Sequence, residues 1–318
     1  MEGSRKIIQF GESSYVVSLP KEWVRRNNLK KSDALFYSEN GNGELIFYPN
    51  SADKKEEVKE ATIIADNKDA LHLEREIMSA YVNNCNIIKI IGEIKERQKI
   101  EKILNNLLAL QIIEESSNKI IAKDFLNIKD VSIKDIIRRM DFIIKVMLEE
   151  SVESIEKSNR YEDIASMDKS INKLKFLVYR LIKNVFKNPN KIKLLDVSLQ
   201  QFLSSWIIVS DLEQLSDECR RFTRFLKMQK LNDKEKKAFL DMLKEINLLY
   251  SEIMKAYYNN NKILAHSVLA KKGHMIDLCN ETFNICDSKV CGPMIEKMKS
   301  MVTSVRNIGR VIVDQEDE

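Results

Sequence analysis

The chain has 318 residues with 52 Lys+Arg against 48 Asp+Glu and a formal net charge of +4, and at about 150 residues per domain two or three domains are expected. A composition of 44% hydrophobic and 31% charged residues excludes wholesale disorder and supplies enough apolar mass for real cores. The net charge is too small to mark a nucleic-acid binder by itself, although a basic face can sit on a balanced protein.

Only 8 Gly and 4 Pro occur in the whole chain, so tight turns are scarce and long helices must dominate. No apolar run approaches the roughly 18 residues of a membrane span; Trp206-Ile207-Ile208-Val209 stops at Ser210-Asp211. Ile7-Ile8 is too short for a signal-peptide core, so a cytoplasmic location without membrane insertion is expected. The five cysteines, Cys85, Cys219, Cys279, Cys286 and Cys291, are odd in number and scattered, which suits free thiols better than a disulfide framework.

Four of the eight glycines, Gly3, Gly11, Gly41 and Gly43, lie in the first 50 residues, so turn chemistry concentrates there. β-Branched and aromatic residues at 5–10 and 15–19 flank Gly11-Glu12-Ser13-Ser14 and predict a hairpin. Pro20 suits a first helical position, and a short helix over 21–26 ends at Asn27-Asn28. A second hairpin joins 34–38 to 44–48 through Asn40-Gly41-Asn42-Gly43 and closes at Pro49. A 1–50 unit of this kind buries too little surface alone, which predicts pairing with a second copy.

The polar stretch 50–60 reads as a linker. Over 61–125 the pattern mixes strands (61–65, 87–91, 111–115, 119–123) with helices (68–83, 95–108), a small α+β subdomain. From Ser132 onward apolar residues such as Ile133, Ile136, Ile137, Met140, Ile144, Met147 and Leu148 recur at helical spacing. Further helices are expected over 163–186, 194–227, 233–259, 261–286 and 293–313, with polar joints such as Asn188-Pro189-Asn190 and Asn259-Asn260-Asn261. The expected fold is mainly α, with two three-helix bundles at 132–228 and 233–314 behind the hairpin-rich domain and the α+β subdomain.

Arg5-Lys6-Ile7-Ile8-Gln9-Phe10-Gly11, followed by Ser13-Ser14-Tyr15-Val16-Val17-Ser18-Leu19-Pro20-Lys21-Glu22-Trp23, resembles the SpoVT/AbrB swapped-hairpin DNA-binding domain. The helical part is similar to PhoU, the phosphate-uptake regulator family, through Ile137-Arg138-Arg139-Met140, Met147-Leu148 and Leu212-Glu213-Gln214-Leu215-Ser216-Asp217. The order of the two parts resembles archaeal proteins that fuse an AbrB-like domain to PhoU-like bundles. Leu73-Glu74-Arg75-Glu76-Ile77 and Ala80-Tyr81 in the mixed subdomain fit the same resemblance without giving it a role.

For the first domain the resemblance implies a homodimeric β-platform that presents basic side chains to double-stranded DNA. Arg5, Lys6, Lys21, Arg25, Arg26, Lys30 and Lys31 cluster on or beside the short helix and first strand. By charge alone a solvated face is the better reading, because Glu2, Glu12, Glu22, Asp33, Glu39 and Glu44 nearly cancel them, and it is the resemblance that favours DNA. Trp23 and Tyr15 read as core or interface anchors.

For the bundles the resemblance implies carboxylates four apart on adjacent helices, which in some members hold iron or zinc. Glu213 and Asp217 keep that spacing and share a helix face, while the partner helix offers Asp168 and Asn172, an amide where the family prefers an acid. The alternative is that Glu213 and Asp217 pair with Arg220 and Arg221. In the second bundle Arg306 and Arg310 stand where acids would be wanted, so no metal is expected there. Cys279, Cys286 and Cys291 lack a CxxC pair and His266 and His274 are eight apart, which matches no usual zinc spacing.

Neither a Gly-rich phosphate cradle nor GxSxG nor a Cys/His nucleophile pair stands out, so an enzyme is not expected. Two functions follow. One is a DNA-binding transcriptional regulator of phosphate homeostasis whose helical part senses phosphate status directly, through a metal, or by docking on another protein. The other is an adaptor that acts on a phosphate transporter or its signalling partner through the bundles, with the N-terminal domain as a dimerisation clamp.

Overall fold

The structure is a computed structural model that describes residues 4–39, 43–48, 58–187, 192, 195, 197–228, 230–286 and 291–315. It divides into two compact units, Met1–Glu57 and Val58–Glu318.

In the first unit β1 (Ile7–Phe10) and β2 (Ser14–Val17) form an antiparallel hairpin with Ile8 opposite Val16. Gly11 turns it at φ +74°, a left-handed conformation that costs glycine nothing because it has no Cβ. α1 (Lys21–Arg26) starts behind Pro20, and the Asn27 side chain closes it by donating to the Trp23 carbonyl at 2.8 Å. β3 (Phe36–Glu39) and β4 (Leu45–Tyr48) form the second hairpin, with Phe36 opposite Tyr48. The expected order of hairpin, helix, hairpin is present; residues 40–42 of the second turn and 49–57 of the linker lie outside the described residues. None of the described residues of this unit is buried, and Ile7, Phe10 and Tyr37 are 73%, 71% and 69% exposed. Two-stranded sheets of four residues per strand have too little area to cover their own apolar side chains.

The second unit opens with β5 (Glu60–Ile64), α2 (Ala70–Val82), β6 (Ile87–Ile91), α3 (Arg97–Asn105), β7 (Leu110–Ser116) and β8 (Lys119–Asp124). The sheet order is β5-β6-β8-β7, with β5 parallel to β6 and the remaining pairs antiparallel. Alternate residues such as Ile63, Ile88, Ile90, Ile120 and Ala122 bury against Leu73, Ile77 and Ile100 of the two helices, as period-2 strands and period-3.6 helices require.

Among the described residues seven α-helices follow: α4 (Ile133–Glu156), α5 (Tyr161–Lys187), α6 (Leu199–Lys227), α7 (Asp233–Tyr258), α8 (Lys262–Ala270), α9 (Lys272–Ile285) and α10 (Cys291–Val313). Capping boxes start two of them, Ser198 with Gln201 at α6 and Asn232 with Glu235 at α7. The single helix expected over 261–286 is instead α8 and α9, broken at Lys271, where ψ is 4°. Gly273 lies just beyond the break and lowers the local helix preference by about 1 kcal/mol relative to Ala.

The helical bundles expected behind the subdomain pack against one another, so that their apolar side chains form one continuous core from Ile133 to Ile312. α10 packs most extensively against α6, and α4 packs against α7 as well as α5 and α6. Gly309 permits the close approach of α10, because a Cβ there would lie 3.1 Å from both Ile253 and Leu269 methyl groups.

The α+β subdomain is locked to the helices by one buried guanidinium. Arg180 on α5 makes a two-pronged ion pair with Asp124 at the end of β8, Nη1 to Oδ1 at 2.9 Å and Nη2 to Oδ2. Its Nε donates to Asn84 Oδ1 at 3.1 Å, and the guanidinium lies 4.7 Å from the Tyr81 ring centroid. Asn84 sits at φ 59° just after α2 and returns a bond from Nδ2 to the Arg180 carbonyl at 3.2 Å. Replacing one partner of a buried pair strands the other charge, at a cost of about 3–5 kcal/mol. Arg180→Met is therefore expected to lower unfolding stability by that amount in urea titrations, and Arg180→Met with Asp124→Leu to recover much of the loss.

Candidate functional site

The seven basic residues expected to meet DNA are all exposed. Lys21, Arg25 and Arg26 lie on α1, Arg5 and Lys6 just before β1, and Lys30 and Lys31 beyond the helix. Arg25 and Arg26 occupy the last turn of α1, the end where cations complement the helix dipole. None of the seven side chains forms an ion pair among the described residues, although the Lys30 backbone donates to the Asp33 carboxylate at 2.7 Å. By contrast, several cations of the α+β subdomain are paired, among them Lys68–Glu76 at 2.7 Å, Lys89–Glu60 at 2.5 Å, Lys119–Glu114 at 2.7 Å and Arg97–Glu115 at 2.7 Å. Trp23 is half-buried, while Tyr15 is exposed and joins the uncovered apolar face rather than a core.

The structure brings Asp168, Asn172, Glu213 and Asp217 together on α5 and α6, with cations from their own chain. Lys175 meets Glu213 at 2.6 Å. Arg220 meets Asp217 at 2.6 Å and Asp168 at 3.0 Å, and Arg221 meets Asp217 at 2.7 Å. Asp168 also accepts from the Ser216 hydroxyl at 2.8 Å, and Asn172 Nδ2 donates to its carbonyl at 3.1 Å and its carboxylate at 3.3 Å. Burial pushes the Asp168 carboxyl up, and the Ser216 hydroxyl and the Arg220 charge only partly offset that. The donor set fits an internal charge network better than a cage for iron or zinc, because a carboxylate held by a guanidinium has lent its charge elsewhere.

At the corresponding place between α6 and α10, Asn307 Nδ2 donates to Asp211 at 3.0 Å and Arg310 donates to Asn307 Oδ1 at 3.1 Å. Two further features were not legible in the residue spacing. A cavity of about 640 Å³ between the ends of α4, α6 and α7 has Lys134 and Arg138 as its charged lining, beside Ser198, Gln201, Tyr257 and Tyr258. Glu235, Cys286 and Cys291 also converge, although Glu235 stands some fifty residues from either cysteine and no CxxC announces them.

Residues 8–55 match the family model described as antidote-toxin recognition MazE, bacterial antitoxin, and residues 137–225 match the PhoU domain. The chain thus joins a MazE/AbrB-like domain to a PhoU domain, and both matched families are regulatory rather than enzymatic. Among solved structures, the crystal structure of PhoU from Pseudomonas aeruginosa is similar at a TM-score of 0.44 and 14% identity, over 57% of this chain and 90% of that one. No curated protein matches. Among the described residues no helix is long and apolar enough to cross a membrane.

An acid whose folded pKa is raised contributes stability below its unfolded pKa and loses it as pH rises through the folded value. Asp168 starts from an ordinary value of 3.8 and is shifted upward. Asp168→Asn keeps an acceptor for Ser216, so the stability of the variant relative to the parent is expected to improve as pH rises from about 4 into that window. Paired urea titrations over that range check the sign; a difference that moves the other way shows that the Arg220 pair outweighs burial.

Proposed function

We propose that the chain is a DNA-binding regulator of phosphate homeostasis, in which the MazE/AbrB-like unit holds DNA and the helical unit receives the signal. The observation that carries this reading is the set of seven exposed cations that form no ion pair among the described residues, on the unit that matches a MazE-type domain. Charges kept for the stability of the unit would be expected in ion pairs, as several cations of the neighbouring subdomain are. The uncovered Ile7, Ile8, Phe10 and Tyr37 support a homodimer, whose formation would cover apolar area and double the basic face. The PhoU match supports phosphate as the regulatory theme, and the cavity with Lys134 and Arg138 offers an anionic effector two cations beside the start of α6.

The second reading, an adaptor that regulates a phosphate transporter or its signalling partner, takes its support from the PhoU domain alone and leaves the basic face unused.

Loss of one phosphate-contacting side chain from each subunit of a dimer removes two contacts. Arg25→Ala is therefore expected to make the slope of log affinity against log salt shallower by roughly 1.8. The mutation removes an exposed side chain from a helix that buries none, so folding is expected to survive. A folded Arg25→Ala protein with unchanged slope rejects this face, and a parent without salt-sensitive binding to any DNA moves the conclusion to the adaptor. Sedimentation of the full chain is expected to give a dimer at micromolar concentration, and Ile7→Asp with Phe10→Asp a monomer with unchanged helix content.

A further inference from the structure

We infer that Glu235, Cys286 and Cys291 form a binding site for one thiophilic divalent d-block cation, with zinc the best match to the donor set. Three helix ends supply it: Glu235 lies in the first turn of α7, Cys286 directly follows α9, and Cys291 opens α10. Their ligand atoms, two Sγ and a carboxylate oxygen, all lie within 4.8 Å of one another. Cys291 Sγ is 3.6 Å from Glu235 Oε1. A tetrahedral ion with sulfur at about 2.3 Å and oxygen at about 2.0 Å separates those two ligands by about 3.5 Å, so this edge of the site already has the required length.

The carboxylate is also aimed. Glu235 Oε2 accepts from the Asn232 backbone at 2.9 Å, and the Glu235 backbone donates to the Asn232 side chain at 3.0 Å, the reciprocal bonds of the α7 capping box. The box holds one oxygen and turns the other to Cys291, as outer partners of metal ligands commonly do. Glu235 and Cys291 are 3% and 1% exposed while Cys286 is half-buried, so a bound ion would be open to water only on the Cys286 side. Two sulfurs with one oxygen select against magnesium and calcium, which take oxygen donors alone. As each sulfur binds, its thiol proton passes to solvent, and water completes the fourth position. The ion would staple the start of α7 to the α9–α10 junction, on helices other than those that carry Asp168 and Glu213.

Cobalt(II) is the probe, because thiolate ligands give it intense near-ultraviolet charge-transfer absorption that oxygen ligands do not. The full-length protein, reduced and freed of metal, is titrated with cobalt and then with zinc. The expected result is one equivalent bound with the sulfur band, displaced by zinc, and loss of the band in Cys286→Ser with Cys291→Ser. Glu235→Gln preserves the capping box, since Gln serves there as well as Glu, and is expected to weaken cobalt affinity by about tenfold or more, the scale on which disturbed ligand shells respond. If the cysteine variants fail to fold, Glu235→Gln carries the test. Absence of the band in the reduced parent, a band that survives both serine substitutions, or a Cys286–Cys291 disulfide that persists under reducing conditions would overturn the site.

Discussion

A buried guanidinium is the polar centre of the junction between the α+β subdomain and the helices, where Phe176 of α5 also packs on the subdomain core. Arg180 lies near the end of α5, yet its partners Asp124, Asn84 and Tyr81 all belong to the subdomain or its edge. Burying such a charge is favourable only if nearly every donor is satisfied, and here the fork geometry meets a carboxylate, an amide oxygen and an aromatic face at once. The left-handed turn at Asn84 exists to serve this junction: its side chain accepts from Arg180 and from Asn184 at 3.2 Å and donates back to the α5 backbone. An apolar contact could slide; a two-pronged pair with a returned hydrogen bond fixes a register between sheet and helix.

The two units treat charge in opposite ways, and this division underlies the functional reading. In the larger unit many cations sit on acids of the same chain, among them Lys175, Arg220 and Arg221 on the α5–α6 carboxylates. In the smaller unit no described residue is buried, large apolar side chains such as Ile7 and Phe10 stay exposed, and the seven cations form no ion pair among the described residues. On the proposed function both deficits would be met from outside the unit, the apolar face by a second copy and the cations by DNA. Counting charge over the whole chain hides this, because a net charge of +4 does not record which cations have partners.

What was legible in the sequence was local. The first hairpin followed from Gly11 between β-branched runs, the short helix from Pro20 and Asn27, and the long helices from apolar recurrence and from caps such as Ser198 and Asn232. The break at Lys271 was missed because Gly273 weakens a helix only slightly, and the outcome there was decided by packing. The shared core was missed because periodicity says that a face is buried but not against which neighbour. Arg180 was equally invisible: within α5 it reads as one more charged residue, and its meaning lies 56 residues away at Asp124 and 96 away at Asn84.

The same distinction separates the two groups of metal-ligand type. Spacing within one helix, Glu213 to Asp217, proposes that two carboxylates face one way, but the next turn places Arg220 and Arg221 on that face too. An i, i+4 rule therefore suggests a cage and a neutralised pair with equal force, and only the neighbouring helix can choose between them. Glu235, Cys286 and Cys291 have no periodic relation, so no spacing rule could have suggested them. They meet because a capping box fixes the start of α7 where α9 ends and α10 begins. Helix ends carry side chains that are already oriented by backbone bonds, which makes a convergence of ends a more selective ligand arrangement than a stripe along a single helix.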